Sequence, residues 1–514
     1  MQANALVPVV QASPDEATAT AWADFAQRVT ARRRPGAVDA VLSLSGAAGP
    51  TPLESESAAA GAPAAAPRPA EAPGTGRSFK SPARPHDERP RGAEANLRIA
   101  LAVEGTRGDV QPMCVLGARL AAAGHDVRIC APPDFRDAAQ ASGLDFRPVG
   151  ADVRSYLTRN AASVDGSTHR ILRESFRYCL DGARRQFESL PEASAEVDAL
   201  IGAGVQLAAP SAAELHGIPY RYVAYCPGIL PSSEHGPMPL PFQTLPAFVN
   251  RFAWGMTRGF FASVVRPWIN SHRRALGLAP VSDAVSHLLT GRIVIAADAG
   301  LASLPADAGL GARQMPALLP FPGAELPEKL ASFLEAGPAP VYFGFGSMPD
   351  ADPQRTTAIL LGAICAVGCR AVVSKGWANL GGLPLPEGVI EIDSVCHARL
   401  FPRMAAVVHH GGAGTTTAAA RAGVPQVIVP HVFDQFYWAR RIELLGLGPP
   451  ALPRKRLRVE ALADALRAVL EQEIVAERAR EIGERLRSEA ERADVAGALG
   501  LEAAAPPLRN RTRP

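Results

Sequence analysis

Hydrophobic and polar positions change rhythm abruptly near residue 96. From Leu97 onward, short apolar runs alternate with segments of helical period, whereas residues 1–95 show neither pattern. LRIALAVE reads as a buried strand, GTRGDVQP as a loop, and Met113–Ala123 as a helix closed by Gly124. HDVRICA is a second strand, followed by a helix from Pro133 to about Ser142 and by DFRPVG. The alternation continues through DALIGAG, an AAPSAAELHG helix and YRYVAYC. A second series opens at PVYFGFGSM (340–348). It runs through a helix over 355–367, then RAVVS, VIEI, AAVVHH, a glycine loop, a helix and QVIVP. Strands and helices alternating at this spacing predict right-handed βαβ units and parallel sheets. The fold class is therefore α/β, with two Rossmann-like domains and a ligand cleft outside the carboxyl ends of the strands.

The expected boundaries are an extension over 1–95, a first domain over 96–320, a linker over 321–338, a second domain over 339–500 ending in a crossover helix, and a tail over 501–514. Residues 1–95 are rich in Ala, Pro, Ser, Glu and Arg, with prolines too frequent for a helix or a central strand. Such a segment cannot bury enough apolar surface to offset its conformational entropy, so disorder is expected there and in the tail. Within it, Trp22, Phe25 and Val29 lie at helical spacing in Asp15–Arg33, a marginal helix. Residues 227–270 begin as a proline-rich loop and end as a helix carrying Phe252, Trp254, Phe260, Phe261 and Trp268. A long aromatic loop of this kind is either core packing or one wall of an apolar pocket. Glu471–Glu491 reads as a charged helix.

Composition narrows the partners. The 514 residues hold 53 Lys+Arg against 50 Asp+Glu, a net +3, which argues against a general nucleic-acid binder. No apolar run reaches the ~18–20 residues needed to span a bilayer. The start lacks a basic region followed by an apolar core, so no secretory signal is expected and the location is read as cytoplasmic. Seven scattered cysteines fit neither a disulfide framework nor zinc-ligand spacing, and are read as buried thiols in a reducing compartment. Cys365 and Cys369 fall four apart on what reads as one helix. No metal site is expected.

The strongest chemical signal lies at 405–430, AAVVHHGGAGTTTAAARAGVPQVIVP. A buried strand runs into His409-His410-Gly411-Gly412-Ala413-Gly414, and Thr415 opens a helix that ends at Gly423. Glycines allow close backbone approach, and a helix N-terminus offers free N–H groups and partial positive charge to a phosphate. This is not the GxxxxGK[ST] phosphate loop, and no lysine sits in it. The same residues also fit a tight βα turn whose glycines serve packing alone. Asp434-Gln435, one strand later, can accept from and donate to neighbouring sugar hydroxyls.

Taken together, VVHHGGAGTT, RAGVPQVIVP and the Asp-Gln pair resemble the donor-binding signature of family 1 glycosyltransferases, in particular bacterial enzymes acting on sterols, macrolides and glycopeptide aglycones. SVCHARLFPR (394–403), FGFGSM (343–348) and SKGW (374–377) match further loops of the same domain, and the likeness covers about 97–490. It implies a GT-B fold, no cofactor beyond a nucleotide-sugar co-substrate, and donor contacts at Ser347, Trp377, Val395, His397, His410, Gly412, Gly414, Thr415, Thr416, Asp434 and Gln435. In similar enzymes an Asp in a GTRGDV-like loop is the base that activates the acceptor, a role that maps onto Asp109. Thr106, Arg107, Phe242, Phe252 and Trp254 are candidates for the acceptor pocket.

Sterol-type relatives carry Asp-Trp where this chain has Ala398-Arg399, so the base pocket differs. That leaves the donor open between UDP-glucose and a dTDP-sugar. The acceptor implied is a small hydrophobic alcohol, whether macrolide, polyketide, sterol or other lipid-like product. A lipid acceptor would add peripheral contact with a membrane surface. A nucleotide-sugar epimerase and a non-catalytic auxiliary protein are the competing readings.

Overall fold

The computed structural model describes residues 96–500 except 154–167 and single positions 239, 290, 292, 321, 322, 324, 349 and 394, with side chains omitted as far as 177 in the helix that begins at Thr168. Residues 1–95, including Asp15–Arg33, and the tail over 501–514 lie outside the described residues.

Two all-parallel sheets carry the structure. Seven strands form the first: β1 (Arg98–Glu104), β2 (Asp126–Ala131), β3 (Asp145–Pro148), β4 (Ala199–Gly204), β5 (Tyr220–Ala224), β6 (Ile293–Ala296) and β7 (Arg313–Met315), in the order β3-β2-β1-β4-β5-β6-β7. The second contains β8 (Val341–Gly344), β9 (Ala371–Ser374), β10 (Val389–Ile392), β11 (Ala406–His409) and β12 (Gln426–Ile428), in the order β10-β9-β8-β11-β12. In both sheets the order reverses beside the first strand, β1 or β8, and the crevice for a ligand opens at such a switch point. The central strands β8 and β11 are buried from end to end and β1 from Ile99 onward, as strands covered by helices on both faces must be.

The first helix departs from expectation. It spans Arg107–Ala122, so most of the anticipated GTRGDVQP loop is helical and Pro112 lies inside it. A capping box explains the early start. The Thr106 side chain accepts from the first turn while the Asp109 side chain accepts from the Thr106 N–H, which satisfies donors that would otherwise be orphaned. Pro112 is tolerated because its missing N–H falls opposite the exposed Gly108. Similarly, the helix after β11 runs Ala413–Ala422 with Gly412 as its cap, two residues earlier than the Thr415 start expected. The helix holding Cys365 stops at Val367, so Cys369 lies beyond it and the two thiols do not share a helix. All seven cysteines are free. A 26-residue helix, Thr168–Ala193, and another over Val459–Leu470 had no counterpart in the sequence reading.

Each sheet has a core of its own, around Leu101 and Leu116 in the first and around Phe343 and Ile359 in the second, and a further cluster spans both halves. It joins Tyr222, Leu230 and Ile295 of the first half to Ile428, Trp438, Ile442 and Leu486 of the second. Across the same junction Arg421 donates to Asp298 through Nε at 2.8 Å and Nη2 at 2.6 Å, and Arg421 also reaches the Ala317 carbonyl at 3.1 Å. Asp298 is buried and accepts a further bond from the Ala317 N–H at 2.9 Å. The chain then returns through Glu473–Glu491 and Val495–Leu499, where Leu499 is buried against the first sheet and its carbonyl accepts from Arg221 Nε at 2.8 Å.

Removing one partner of a buried, bidentate pair strands the other charge. Asp298→Ala is therefore expected to cost about 3–5 kcal/mol in urea-induced unfolding, and the double replacement Asp298→Leu with Arg421→Met markedly less.

Candidate functional site

The carboxyl ends of β1 and β11 deliver the two loops that carry chemistry. After β1, Gly105 adopts φ +147°, and a Cβ there would lie 2.2 Å from Asp109 Oδ2, so the turn that brings the carboxylate back over the strand end demands glycine. Asp109 Oδ2 accepts from the Thr106 N–H at 2.8 Å and from the Thr106 hydroxyl at 3.3 Å. The Tyr225 hydroxyl donates to the Asp109 carbonyl at 2.7 Å, anchoring the same turn to the end of β5. Burial pushes the Asp109 carboxyl up to about 6, against the two Thr106 bonds, which favour the ionised form.

After β11, the histidine pair divides its work. His409 is fully buried, accepts from the Gly411 N–H on Nδ1 at 3.1 Å and so presents Nε2–H to Gln426 Oε1 at 2.9 Å. It shapes the turn and is not available to a ligand. His410 is different, because its Nδ1 is buried with no hydrogen-bond partner among the described residues. Burial lowers its pKa to about 4, so the ring is neutral. Gly412 makes room for that ring: a Cβ there would sit 2.5 Å from His410 Nε2. Gly412 caps the following helix without a side-chain bond, which leaves the first-turn N–H groups of Ala413, Gly414 and Thr415 without a capping side chain. A partnerless imidazole beside an uncapped helix N-terminus is a cradle for an anion.

Other donor candidates fall around this cradle with unequal readiness. Ser347 is half-buried in the loop after β8, and that loop is tied to its neighbour by Trp377 N–H donating to the Gly346 carbonyl at 2.9 Å. Thr415 is half-buried, but Thr416 is fully buried and its hydroxyl donates back to the Gly412 carbonyl at 2.9 Å, so Thr416 braces the helix start. Val395 packs in the cluster of Leu334 and Phe401. His397 is stacked on Phe401 at 4.3 Å, with Nε2 3.5 Å from the Tyr342 hydroxyl. Burial, helped by the Arg107 charge, lowers its pKa to about 4. Arg107, proposed for the acceptor side, is thus felt by residues of the second sheet.

Asp434 and Gln435 open the helix Gln435–Leu444. Burial and the charge of Asp109 push the Asp434 carboxyl up to about 7, so two carboxylates from opposite halves sense one another across the cleft. Gln435 Oε1 is already taken by the His431 N–H at 2.7 Å and the Val432 N–H at 3.1 Å, leaving only its Nε2, which contacts Met348 Sδ at 3.4 Å. Phe433, just before the pair, holds φ +52°. For a bulky residue this left-handed conformation is strained, and such strain concentrates at functional sites.

The acceptor candidates separate. Phe242 lines a cavity of about 430 Å³ together with Phe433 and Phe436. Trp254 instead donates through Nε1 to the His235 carbonyl at 3.1 Å and packs edge-on against that ring, pinning the base of the 227–246 loop. Phe252 is 68% exposed on the outer face of its helix and is not among the residues lining that cavity. Tyr225 and the buried Glu104, whose carboxyl burial raises to about 7, were missed. Glu104 ends β1 directly before the Asp109 turn and reads as ordinary core, whereas Tyr225 follows β5 and is brought to that turn only by the folded sheet. Among the described residues no group of three His, Cys, Asp or Glu is placed to hold a metal, and no helix is long and apolar enough to cross a membrane.

Known proteins resemble the chain over both halves. Residues 359–501 match the erythromycin biosynthesis protein CIII-like C-terminal domain, and residues 99–232 the glycosyltransferase family 28 N-terminal domain. The vancomycin aglycone glucosyltransferase of Amycolatopsis orientalis is 38% identical over 360 residues, spanning 68% of this chain and 85% of that protein. A sterol 3-beta-glucosyltransferase of Arabidopsis thaliana is 33% identical over 421 residues, 74% of this chain and 64% of the plant protein. In fold, the glycosyltransferase SnogD from Streptomyces nogalater superimposes with a TM-score of 0.56 at 20% identity, covering 80% of this chain and 100% of that one. The chain belongs to the family 1 glycosyltransferases, GT-B enzymes that move a hexosyl group from a nucleotide sugar with inversion and without a metal ion.

Proposed function

We propose that the protein transfers glucose from UDP-glucose to a hydroxyl of a hydrophobic, natural-product or sterol-like acceptor, with Asp109 as the general base. The observation that carries this reading is the partnerless His410 Nδ1 beside the uncapped Ala413–Ala422 helix, on the half whose Asp434 senses the Asp109 carboxylate of the other half. The half built on β8–β12 holds the nucleoside diphosphate, through neutral His410, the first-turn N–H groups, Ser347 and Thr415. The departing diphosphate develops negative charge there as the glycosidic bond breaks, and fixed N–H dipoles stabilise that charge without reorganising. Asp434 and the Nε2 of Gln435 read the sugar hydroxyls. Asp109 accepts the proton as the acceptor oxygen attacks the anomeric carbon from the opposite face, and a single displacement of this kind inverts that centre. A carboxylate whose pKa is raised to about 6 is a better base toward an alcohol than an ordinary one near ~4. The acceptor enters along the loop that carries Phe242.

Thermal-shift measurements with UDP, UDP-glucose, dTDP and dTDP-glucose test the donor. A ligand at ~100 times its dissociation constant stabilises by roughly 2.7 kcal/mol, and His410→Ala is expected to lose that gain. A shift with dTDP compounds alone would replace UDP-glucose by a dTDP-sugar. Asp109→Asn is expected to lower turnover by about 10²–10⁴-fold while donor affinity stays within a few-fold; near-normal turnover would remove Asp109 as the base. Because Asp109 acts when ionised, kcat rises with pH through about 6 and levels above it.

A further inference from the structure

The helix Ala247–Phe260, continued by the π-turn Phe261–Val265, turns an apolar band outward. Phe248 and Phe252 are each 68% exposed and Met256 is 63% exposed, and Phe260 and Val264 continue the series. These positions recur every fourth residue, so the band winds slowly around the helix at about 40° per step. Arg251 and Arg258 fall together along one edge of it and are exposed, as is Arg274 farther on. No Asp or Glu occurs between Glu234 and Asp283, a stretch that holds five arginines. Two of the five are committed elsewhere: Arg273 is buried against Glu214 at 2.9 Å, and Arg266 donates to the Ser282 carbonyl at 3.0 Å. Asp283 lies close enough for the Arg258 charge to help lower its pKa, while Arg251 and Arg274 form no ion pair among the described residues.

We infer that this helix lies in the surface of an anionic bilayer, with Phe248, Phe252 and Met256 inserted among the acyl chains and Arg251 and Arg258 on the headgroups. An exposed apolar band bordered by arginine and free of acids is the pattern of an interfacial helix. Charge selects this occupant over a second copy of the chain. Two copies facing band to band would bring four edge arginines together with no carboxylate on the helix itself, and only Asp283, which already faces Arg258, near it. The band also leads toward the site. Phe242, six residues before Phe248, is exposed and lines the cavity shared with Phe433 and Phe436, next to Asp434. A hydrophobic acceptor dissolved in the bilayer would thus leave it near the cleft. The surface itself does not depend on which donor or acceptor is used.

Co-sedimentation of the full chain with phosphatidylglycerol–phosphatidylcholine vesicles and with pure phosphatidylcholine vesicles tests the inference. The expected result is binding to the anionic vesicles that drops several-fold on raising salt to about 0.5 M, and weak binding to the neutral ones. Phe248→Ser with Met256→Ser is expected to lose binding about tenfold or more while unfolding cooperatively like the parent, and Arg251→Ala to lose binding only to anionic vesicles. No binding of the parent to either vesicle overturns the inference, as does unchanged binding by the double variant. A parent that elutes as a dimer, is made monomeric by the double substitution and ignores vesicles would assign the band to a second copy and overturn it equally.

Discussion

The Thr106 N–H bond to Asp109 Oδ2, 2.8 Å long, fixes two things at once. It closes the capping box that starts the first helix, and it aims the carboxylate that faces the second half. Without the box, the Gly105 turn would have no reason to place Asp109 over the end of β1, and the helix would begin nearer Met113. With Asp109 as the proposed base, catalytic geometry and helix nucleation share one side chain. The Tyr225 hydroxyl on the Asp109 carbonyl adds a second constraint from a distant strand, so the aim of the carboxylate is set by the sheet as well as by the local turn.

This arrangement carries a pH signature with two opposing slopes. Asp109 and Asp434 have folded pKa values raised to about 6 and about 7. Their contribution to stability is complete below the unfolded carboxylate value near ~4 and is lost as pH rises through 6 and 7. His397 and His410, lowered to about 4, act in the other direction: the folded state prefers them neutral, so stability falls as pH drops below the unfolded value near ~6.5. At neutral pH the free enzyme thus keeps the histidine contribution but loses that of the carboxylates, which must be ionised in the proposed mechanism. Sugar hydroxyls donating to Asp434 would offset part of that cost in the loaded enzyme, which couples donor occupancy to the integrity of the cleft.

Much of the frame was legible because parallel strands buried on both faces appear as continuous apolar runs, and β1, β11 and β12 are read directly from RIALAVE, AVVH and QVI. The glycine loop was legible too, since glycine before a threonine-rich helix has few other uses. What could not be read is which way a side chain turns once the backbone is set. Thr416 looks like a phosphate donor in the sequence, yet one position of helical rotation buries it and returns its hydroxyl to Gly412. Gln435 looks like a sugar reader, yet its oxygen is claimed by the turn it follows. Phe252 and Trp254 are two residues apart on one helix and part company for the same reason, one facing solvent and the other the His235 carbonyl. Nor does local pattern reveal the shared core, because the pairing of Arg421 with Asp298 spans more than a hundred residues.

The absence of a cation in the glycine loop has a kinetic logic. A lysine or arginine on the diphosphate would grip substrate and product alike, and binding that is equal in both raises neither the chemical rate nor the rate of product release. In the proposed donor site, a neutral His410 and helix N–H groups would hold an anion less tightly in the ground state, yet would gain most from the charge that develops on the leaving oxygen. The low pKa of His410 belongs to this design. A protonated ring would add a full positive charge and slow the departure of the nucleoside diphosphate, whereas burial between the β8 and β11 loops keeps the ring neutral and leaves a single N–H to give. Positive charge comes instead from Arg107 on the opposite half, whose field reaches His397 of the second half.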